Sequence, residues 1–444
     1  MHPIRFIHAA DLHLDAAFSG LSRDIPAEFA ERLRTATFTA FRRLLDLCER
    51  ESPDFLLLAG DVYNQEDASV SAQLALRDGF RRLESLSIPV FLVHGNHDPL
   101  ASRLRSVRWP GNVTVFGELP DAVPVFRKGE ETPLAIIHGA SHASGREPRN
   151  LAALFRRTEA CGLHVGLLHA TPGDADGVAR YAPFSQEDLK ASGMDYWALG
   201  HIHDRREVCR EPLAAYPGCT QGLHINEPGE KGCLLVTAEA RPDGGYAVRT
   251  SFRPLGPAVW KTLEMDLGGA ASLDELENRL RTGLDRAAAE VWSGCEMLLV
   301  RLRLQGRTEL DGLLRKGTTC AELADRLRED GSGVPRIWIK DIDVATRPCV
   351  ERGALLERED LLGEVFRLSE AARTASGLQA LREGPLAPLF AHARAGKALE
   401  PLTDEELARL LDDAESLCLD RRVRDAPGCD GRRPARGRGC VPRP

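Results

Sequence analysis

Five short segments carry residue types that bind metal ions, and they share one layout. Asp11-Leu12-His13, Gly60-Asp61, Gly95-Asn96-His97-Asp98, His169 and Gly200-His201-Ile202-His203 each stand at the end of an apolar run. Asp11 and His13 are two residues apart, as are His201 and His203, so in an extended segment each pair projects to one side. Glycine at 60, 95 and 200 would let the backbone turn tightly beneath the donors. The donors are carboxylates, imidazoles and an amide, with no thiolate. Such a set suits Mn²⁺, Fe²⁺ or Zn²⁺ better than Ca²⁺ or a structural zinc site. It is too large for one ion and about right for two ions sharing a bridging carboxylate. Two metals roughly 3.5–4 Å apart activate a water and clamp the attacking and leaving oxygens of a phosphoryl centre. Asp-x-His or Gly-Asp alone is common, and a lone strand-end histidine is usually a core residue. The ordered combination of all five is what points to a dimetal site.

Positioning these donors calls for an open α/β sheet, which binds ligands at the carboxyl ends of its strands. The expected strands are 4–10, 55–59, 90–94, 135–138, 165–169 and 196–199. Between the first two, Phe29, Leu33, Ala36, Ala40, Leu44 and Cys48 recur at three- and four-residue spacing, which predicts a helix over 26–50. Residues 69–86 read the same way. Strand–helix alternation predicts an α/β layered fold. From Pro217 the pattern turns to strands with Gly and Pro punctuation, at 232–238 and 247–252. Pro254-Leu255-Gly256-Pro257 reads as a boundary. Beyond it, a strand (259–265), a helix (272–290), a strand (296–304) and a further α/β pair ending at 337–344 predict a small α/β cap. Amphipathic helices follow at 353–372 and 403–417, the latter opened by Thr403 and three acids. The expected organisation is therefore a catalytic domain over 1–254, a cap over 255–348, a helical region over 349–420 and an Arg/Gly/Pro-rich, disordered tail over 421–444.

Composition bounds the function. The 444 residues are 43% hydrophobic, ample for a packed core, and carry a formal charge of −8. The last 24 hold eight Arg and two Asp, so the rest of the chain carries −14. An acidic body does not advertise nucleic-acid binding, but the footprint of such binding is a local patch and metals supply charge. No apolar run approaches a membrane span. The N-terminus lacks the pattern of a secretory leader. The 11 cysteines form no Cys-x-x-Cys pair and suit a reducing cytoplasm.

The five blocks, in this order, resemble the calcineurin-like metallophosphoesterase superfamily, whose pattern is D-x-H, G-D, G-N-H-D/E, H and G-H-x-H. The resemblance implies a four-layer α/β/β/α sandwich. It implies that Asp11, His13 and His203 hold one metal, that Asn96, His169 and His201 hold the other, and that Asp61 bridges them. His97 is implied as the general acid protonating the leaving oxygen, with Asp98 orienting it. The flanks Phe6-Ile7-His8-Ala9-Ala10-Asp11-Leu12-His13, Gly60-Asp61-Val62-Tyr63 and His97-Asp98-Pro99 look like the DNA-repair exonuclease branch, with its SbcD-like and YhaO-type members. So do Tyr216-Pro217-Gly218, Glu227 and Lys231-Gly232. That branch implies DNA as substrate, manganese as the working metal (Fe²⁺ or Zn²⁺ as alternatives), a coiled-coil ATPase of the SbcC type as partner, and homodimerisation. Asn64, Tyr216 and Gly218 are expected beside the substrate. Two departures stand out: Asn64 replaces the usual His or Asp, and Pro-Gly-Cys219 replaces Pro-Gly-Ser. The Arg of the Ser/Thr-phosphatase signature is absent after Gly60-Asp61. His8 and His138 are expected in the core, and His142, His164 and His392 as ordinary loop or helix residues. His94 and His224 lie close to the motifs. The rival readings are a phosphodiesterase or phosphatase acting on small nucleotides, and a weakly catalytic protein that binds DNA ends.

Overall fold

The computed structural model describes residues 2–21, 25–64, 69–101, 107–173, 180–242, 244–329, 333–349, 352–391 and 402–423. His392 and the tail beyond 423 lie outside them. The chain opens with β1 (Ile4–Ala9), α1 (Ala27–Arg34), α2 (Ala36–Glu51), β2 (Phe55–Ala59), α3 (Val70–Ser85), β3 (Val90–Val93) and β4 (Val113–Val115). It continues through β5 (Asp121–Val125), β6 (Ala135–Ala140), β7 (Leu163–His169), α4 (Gln186–Ala191), β8 (Tyr196–Gly200), β9 (Arg206–Arg210) and β10 (Leu213–Tyr216). β11 (Gly232–Ala240) and β12 (Tyr246–Pro254) follow. Two six-stranded sheets result, ordered β12-β11-β1-β2-β3-β4 and β5-β6-β7-β8-β10-β9.

Strand alternation sorts side chains into layers. Ile7, Ala9, Leu56, Leu58, Val90 and Leu92 face one way, onto Phe41, Leu44, Leu76 and Phe80 of α2 and α3. Phe6, Phe55, Leu57, Ala59, Phe91 and Val93 face the other way, onto Ile137, Val165, Leu167, Tyr196 and Ala198 of the second sheet. The far face of that sheet, with Leu168, Trp197 and Leu199, is covered by Phe155, Leu189 and their neighbours. This is the four-layer α/β/β/α sandwich. The central strands β1, β2 and β3 pair in parallel, as do β6, β7 and β8, so their carboxyl ends lie together at one end of each sheet.

Two expected elements differ in detail. The helix expected over 26–50 is two helices, because Thr35 leaves helical geometry (φ −97°, ψ 3°) while its hydroxyl donates to the Glu31 carbonyl. The helix at 69–86 starts one residue in, with Ser69 accepting from the Ala72 N–H as its cap.

Next come β13 (Ala258–Asp266), α5 (Leu273–Glu290), β14 (Met297–Gln305), β15 (Arg307–Thr308), α6 (Asp311–Leu314), α7 (Thr319–Glu329), β16 (Arg336–Val344) and β17 (Arg347–Pro348). β13, β14 and β16 form a three-stranded sheet. By compactness, the described residues within 1–266, 273–304 and 314–344 form one unit, and those within 267–272, 305–313 and 345–423 a second. Within the first unit, Trp260, Met297, Leu299 and Trp338 pack with Phe29 and Leu33 of α1.

The second unit holds α8 (Arg352–Leu356), α9 (Leu361–Ala372), α10 (Ala375–Glu383), α11 (Ala387–Ala391) and α12 (Asp404–Val423). Its small core is Leu355, Leu362, Phe366 and Leu419. The helix expected over 353–372 breaks before Asp360, which caps α9 by accepting from the Gly363 N–H. Thr403 opens α12 as expected, in a reciprocal hydrogen-bonded pair with Glu406. Among the described residues no helix is long and apolar enough to cross a membrane.

Candidate metal centre

The loops that leave β1, β2, β3, β7 and β8 meet at the carboxyl ends of the two sheets. The first two are stitched together by backbone bonds: Asp11 N–H to Gly60 O, His13 N–H to Asp61 O and Leu14 N–H to Val62 O, at 3.0–3.1 Å. Asp11, His13 and His203 present donor atoms within 4.8 Å of one another, and so do Asp61, His169 and His201. Asn96 joins the second group, its Oδ1 lying 3.0 Å from His169 Nε2 and 3.1 Å from His201 Nδ1. Asp61 Oδ2 is 3.3 Å from His169 Nε2 and 4.0 Å from His13 Nε2, so it faces both groups. Asp11, His13, Asp61 and His201 all have positive φ (51°, 41°, 50° and 103°). Such backbone costs about 1–3 kcal/mol per residue and persists where surrounding structure holds it. Of Gly60, Gly95 and Gly200 only Gly60 is left-handed (φ +89°). At Gly95 the requirement is close approach, since a Cβ there would run into Asp61 and His169.

Hydrogen bonding at the far ring nitrogens fixes which nitrogen faces inward. His13 Nδ1 lies 2.6 Å from Asn64 Oδ1, His203 Nδ1 2.6 Å from Glu227 Oε1, and His169 Nδ1 2.9 Å from the Ala59 carbonyl. An acceptor oxygen beside Nδ1 favours the tautomer in which Nδ1 carries and donates the ring proton, which leaves the Nε2 lone pair pointing into the centre. His13 Nε2 and His203 Nε2 then face each other at 3.1 Å, and His169 Nε2 faces two oxygens. His201 differs, since Nδ1 is its nitrogen beside Asn96 Oδ1, while its Nε2 is buried without a hydrogen-bond partner. Lone pairs so directed repel one another unless a proton or a cation sits among them.

The substrate-side expectations are altered. Asn64 is committed to His13. Tyr216 is fully buried, and its hydroxyl donates to the Ala170 carbonyl at 2.7 Å, so it supports the loop after β7 rather than contacting substrate. Gly218 (φ +81°) lies against the His203 backbone, where a Cβ would come within 2.7 Å of the His203 carbonyl. His97 is exposed, its N–H donates to Asp61 Oδ1 at 2.9 Å, and its ring stands 5.2 Å from that of His13. Asp98 does not orient His97. Its buried carboxylate accepts from the N–H groups of Gly95 (2.7 Å), Val62 (3.0 Å) and Asp61 (3.3 Å), and lies 3.4 Å from His94 Nδ1. It therefore ties the loop after β3 to the loop after β2.

The model of the calcineurin-like phosphoesterase family matches residues 4–205, and that of the metallophosphoesterase YhaO middle domain matches residues 260–347. Over 388 residues, 86% of this chain and 91% of the relative, the sequence is 34% identical to the uncharacterized metallophosphoesterase YhaO of Bacillus subtilis. The chain belongs to the calcineurin-like metallophosphoesterase family. Its resemblance to the YhaO-type branch extends through both matched segments. The metallophosphoesterase is also 27% identical, over 65% of its length and 69% of the relative's, to the DNA double-strand break repair protein Mre11 of Aeropyrum pernix. Against Mre11 of Haloferax volcanii the identity is 24% over 83% of this chain and 78% of the relative.

The electrostatics of this metallophosphoesterase fit the dimetal centre of its family. The carboxylates of Asp11 and Asp61 are buried, and their hydrogen bonds and ion pairs come from backbone N–H groups and histidines. Burial pushes the Asp11 carboxyl up against the pull of His169 and His203. Burial would raise Asp61 too, but His169 and His13 hold it far below the carboxylate range. His169 rises to about 9, since the charges of Asp61 and Asp11 outweigh its burial. Burial and its histidine neighbours push His201 down to about 3. Buried carboxylates and imidazole nitrogens concentrated in this way are what a divalent cation satisfies.

Residue patterns missed several supports. Glu227 was visible only as part of a family motif. His142, expected as an ordinary loop or helix residue, is fully buried with Nε2 2.6 Å from the His169 carbonyl. His164 lies within β7 and meets His138 at 2.9 Å. Tyr181, whose ring is 5.2 Å from that of His201, gave no sequence signal.

Proposed function

We propose that this metal-dependent phosphoesterase hydrolyses DNA phosphodiester bonds, as a repair exonuclease working with two divalent ions, Mn²⁺ by preference. The observation that carries the reading is the convergence of Asp11, His13, Asp61, Asn96, His169, His201 and His203 at the sheet ends, with an exposed imidazole beside them. Asp11, His13 and His203 would hold one ion, Asn96, His169 and His201 the other, and Asp61 both. When bound, the ions lower the pKa of water and neutralise charge on a phosphoryl group. His97, reaching solvent with its backbone pinned to Asp61, is the group available to give a proton to the departing sugar oxygen. Asp98 keeps that loop in register with Asp61 through the Gly95, Asp61 and Val62 N–H groups. The choice of DNA rests on the nuclease-type flanks and on the Mre11 relatives at low identity.

The test compares a labelled DNA duplex with bis-p-nitrophenyl phosphate under one set of metal conditions. Cleavage of the duplex supports the reading. Turnover of the small diester with intact DNA, in the presence of an SbcC-type ATPase as well as without it, would instead assign a small-nucleotide phosphodiesterase.

A further inference from the structure

We propose that Glu227 is a positioning residue of the metal centre, fixing the ring of His203 so that Nε2 is the nitrogen offered to the ion held with Asp11 and His13. The inference rests on the dimetal reading above and assigns a function to a residue outside the donor set.

Glu227 lies in the loop after Tyr216-Pro217-Gly218, not on a strand end. Its Oε1 is 2.6 Å from His203 Nδ1, and its Oε2 accepts the Leu223 N–H at 2.7 Å. Its own N–H donates to the His224 carbonyl at 2.9 Å, so main chain and side chain are both held. The carboxylate is four-fifths buried. His203 is also gripped from behind: Lys231 Nζ donates to the His203 carbonyl and to Asp204, each at 3.0 Å.

The support is unequal among the histidines. His13 Nδ1 meets a neutral amide oxygen, that of Asn64, and His169 Nδ1 meets a backbone carbonyl. His203 alone of these three meets a carboxylate at Nδ1. A carboxylate behind an imidazole fixes its tautomer and orientation and makes the opposite nitrogen a better donor. The consequence is local. Loss of Glu227 should weaken the ion that His203 helps to hold and spare the ion held by Asn96, His169 and His201.

His203, Cys219 and Glu227 also lie close enough together to suggest an ion of their own. The 2.6 Å bond argues otherwise, since His203 Nδ1 must carry the proton it shares with Glu227.

The test is calorimetric titration of Mn²⁺ into the full chain, wild type against Glu227→Gln and Glu227→Ala, with thermal melts in parallel. Gln keeps the volume and one acceptor, so it guards against simple misfolding of the Ala variant. The expected result is two ions in the wild type, with one site weakened by about 10- to 100-fold in Glu227→Ala and by less in Glu227→Gln, the other site unchanged and the melting temperature preserved. Two ions bound with wild-type affinities in both variants would overturn the positioning role while leaving the dimetal reading intact. Fewer than two ions in the wild type would overturn the dimetal reading itself. A third ion in the wild type, lost in Glu227→Gln, would make Glu227 a ligand and overturn its assignment as a positioning residue.

Discussion

His97 and Asp98 are neighbours in sequence with opposite environments, and each predicts a different defect. His97 is exposed beside the centre, and its side chain supplies none of the atoms that converge there. Replacing it with Ala should leave two-ion binding intact and cut turnover by about 100- to 10,000-fold, the usual contribution of a positioned acid. Calorimetry and steady-state kinetics on one preparation would check this, and loss of an ion would contradict it. Asp98 is buried and accepts from three backbone N–H groups. Asp98→Ala strips those donors of their acceptor, and hydrogen bonds to charged groups contribute about 1.5–3 kcal/mol each. The melting temperature should therefore fall clearly, with activity lost as a consequence. A variant as stable as the parent would refute that role.

The strand elements were largely legible. Continuous apolar runs such as Phe55–Ala59 and Val165–His169 were read within a few residues, because strands buried on both faces carry little else. The order of metal-type residues at their ends was legible for the same reason. The break at Thr35 was not, because apolar periodicity runs straight through it. Nor were Asp98's role and Glu227's partner, because both depend on backbone N–H groups and loops that no local pattern reports. His8 illustrates how buried strand polarity is resolved. On β1, between the sheets, it bonds the Tyr196 hydroxyl at 2.9 Å and the Leu199 carbonyl at 3.2 Å. Burial pushes its pKa down to about 3, and that of His138 to about 4. Both are neutral in the folded chain, while the unfolded chain takes up a proton below about 6.5. Their contribution is thus complete above pH 6.5 and is lost as pH falls toward 4, at about 1.4 kcal/mol per pH unit for each proton. Urea midpoints between pH 7 and 4.5 should decline, and less steeply in His8→Gln. Equal slopes would count against the assignment.

At the scale of the whole molecule, chemistry and the C-terminal helices belong to different compact units. The donors lie between Asp11 and His203, whereas α8 to α12 occupy the described residues from 352 onward. A chain ended at residue 349 should therefore keep its two ions and its turnover of bis-p-nitrophenyl phosphate, and loss of either would place part of the chemistry in the C-terminal helices. The central claim is the dimetal DNA phosphodiesterase, and the most direct measurement is the product ladder from end-labelled duplex and single-stranded DNA in Mn²⁺, beside Asp61→Ala and His97→Ala. The account predicts cleavage by the wild-type chain that is lost in both variants. Cleavage undiminished in either variant, or intact DNA alongside full turnover of bis-p-nitrophenyl phosphate, would contradict it.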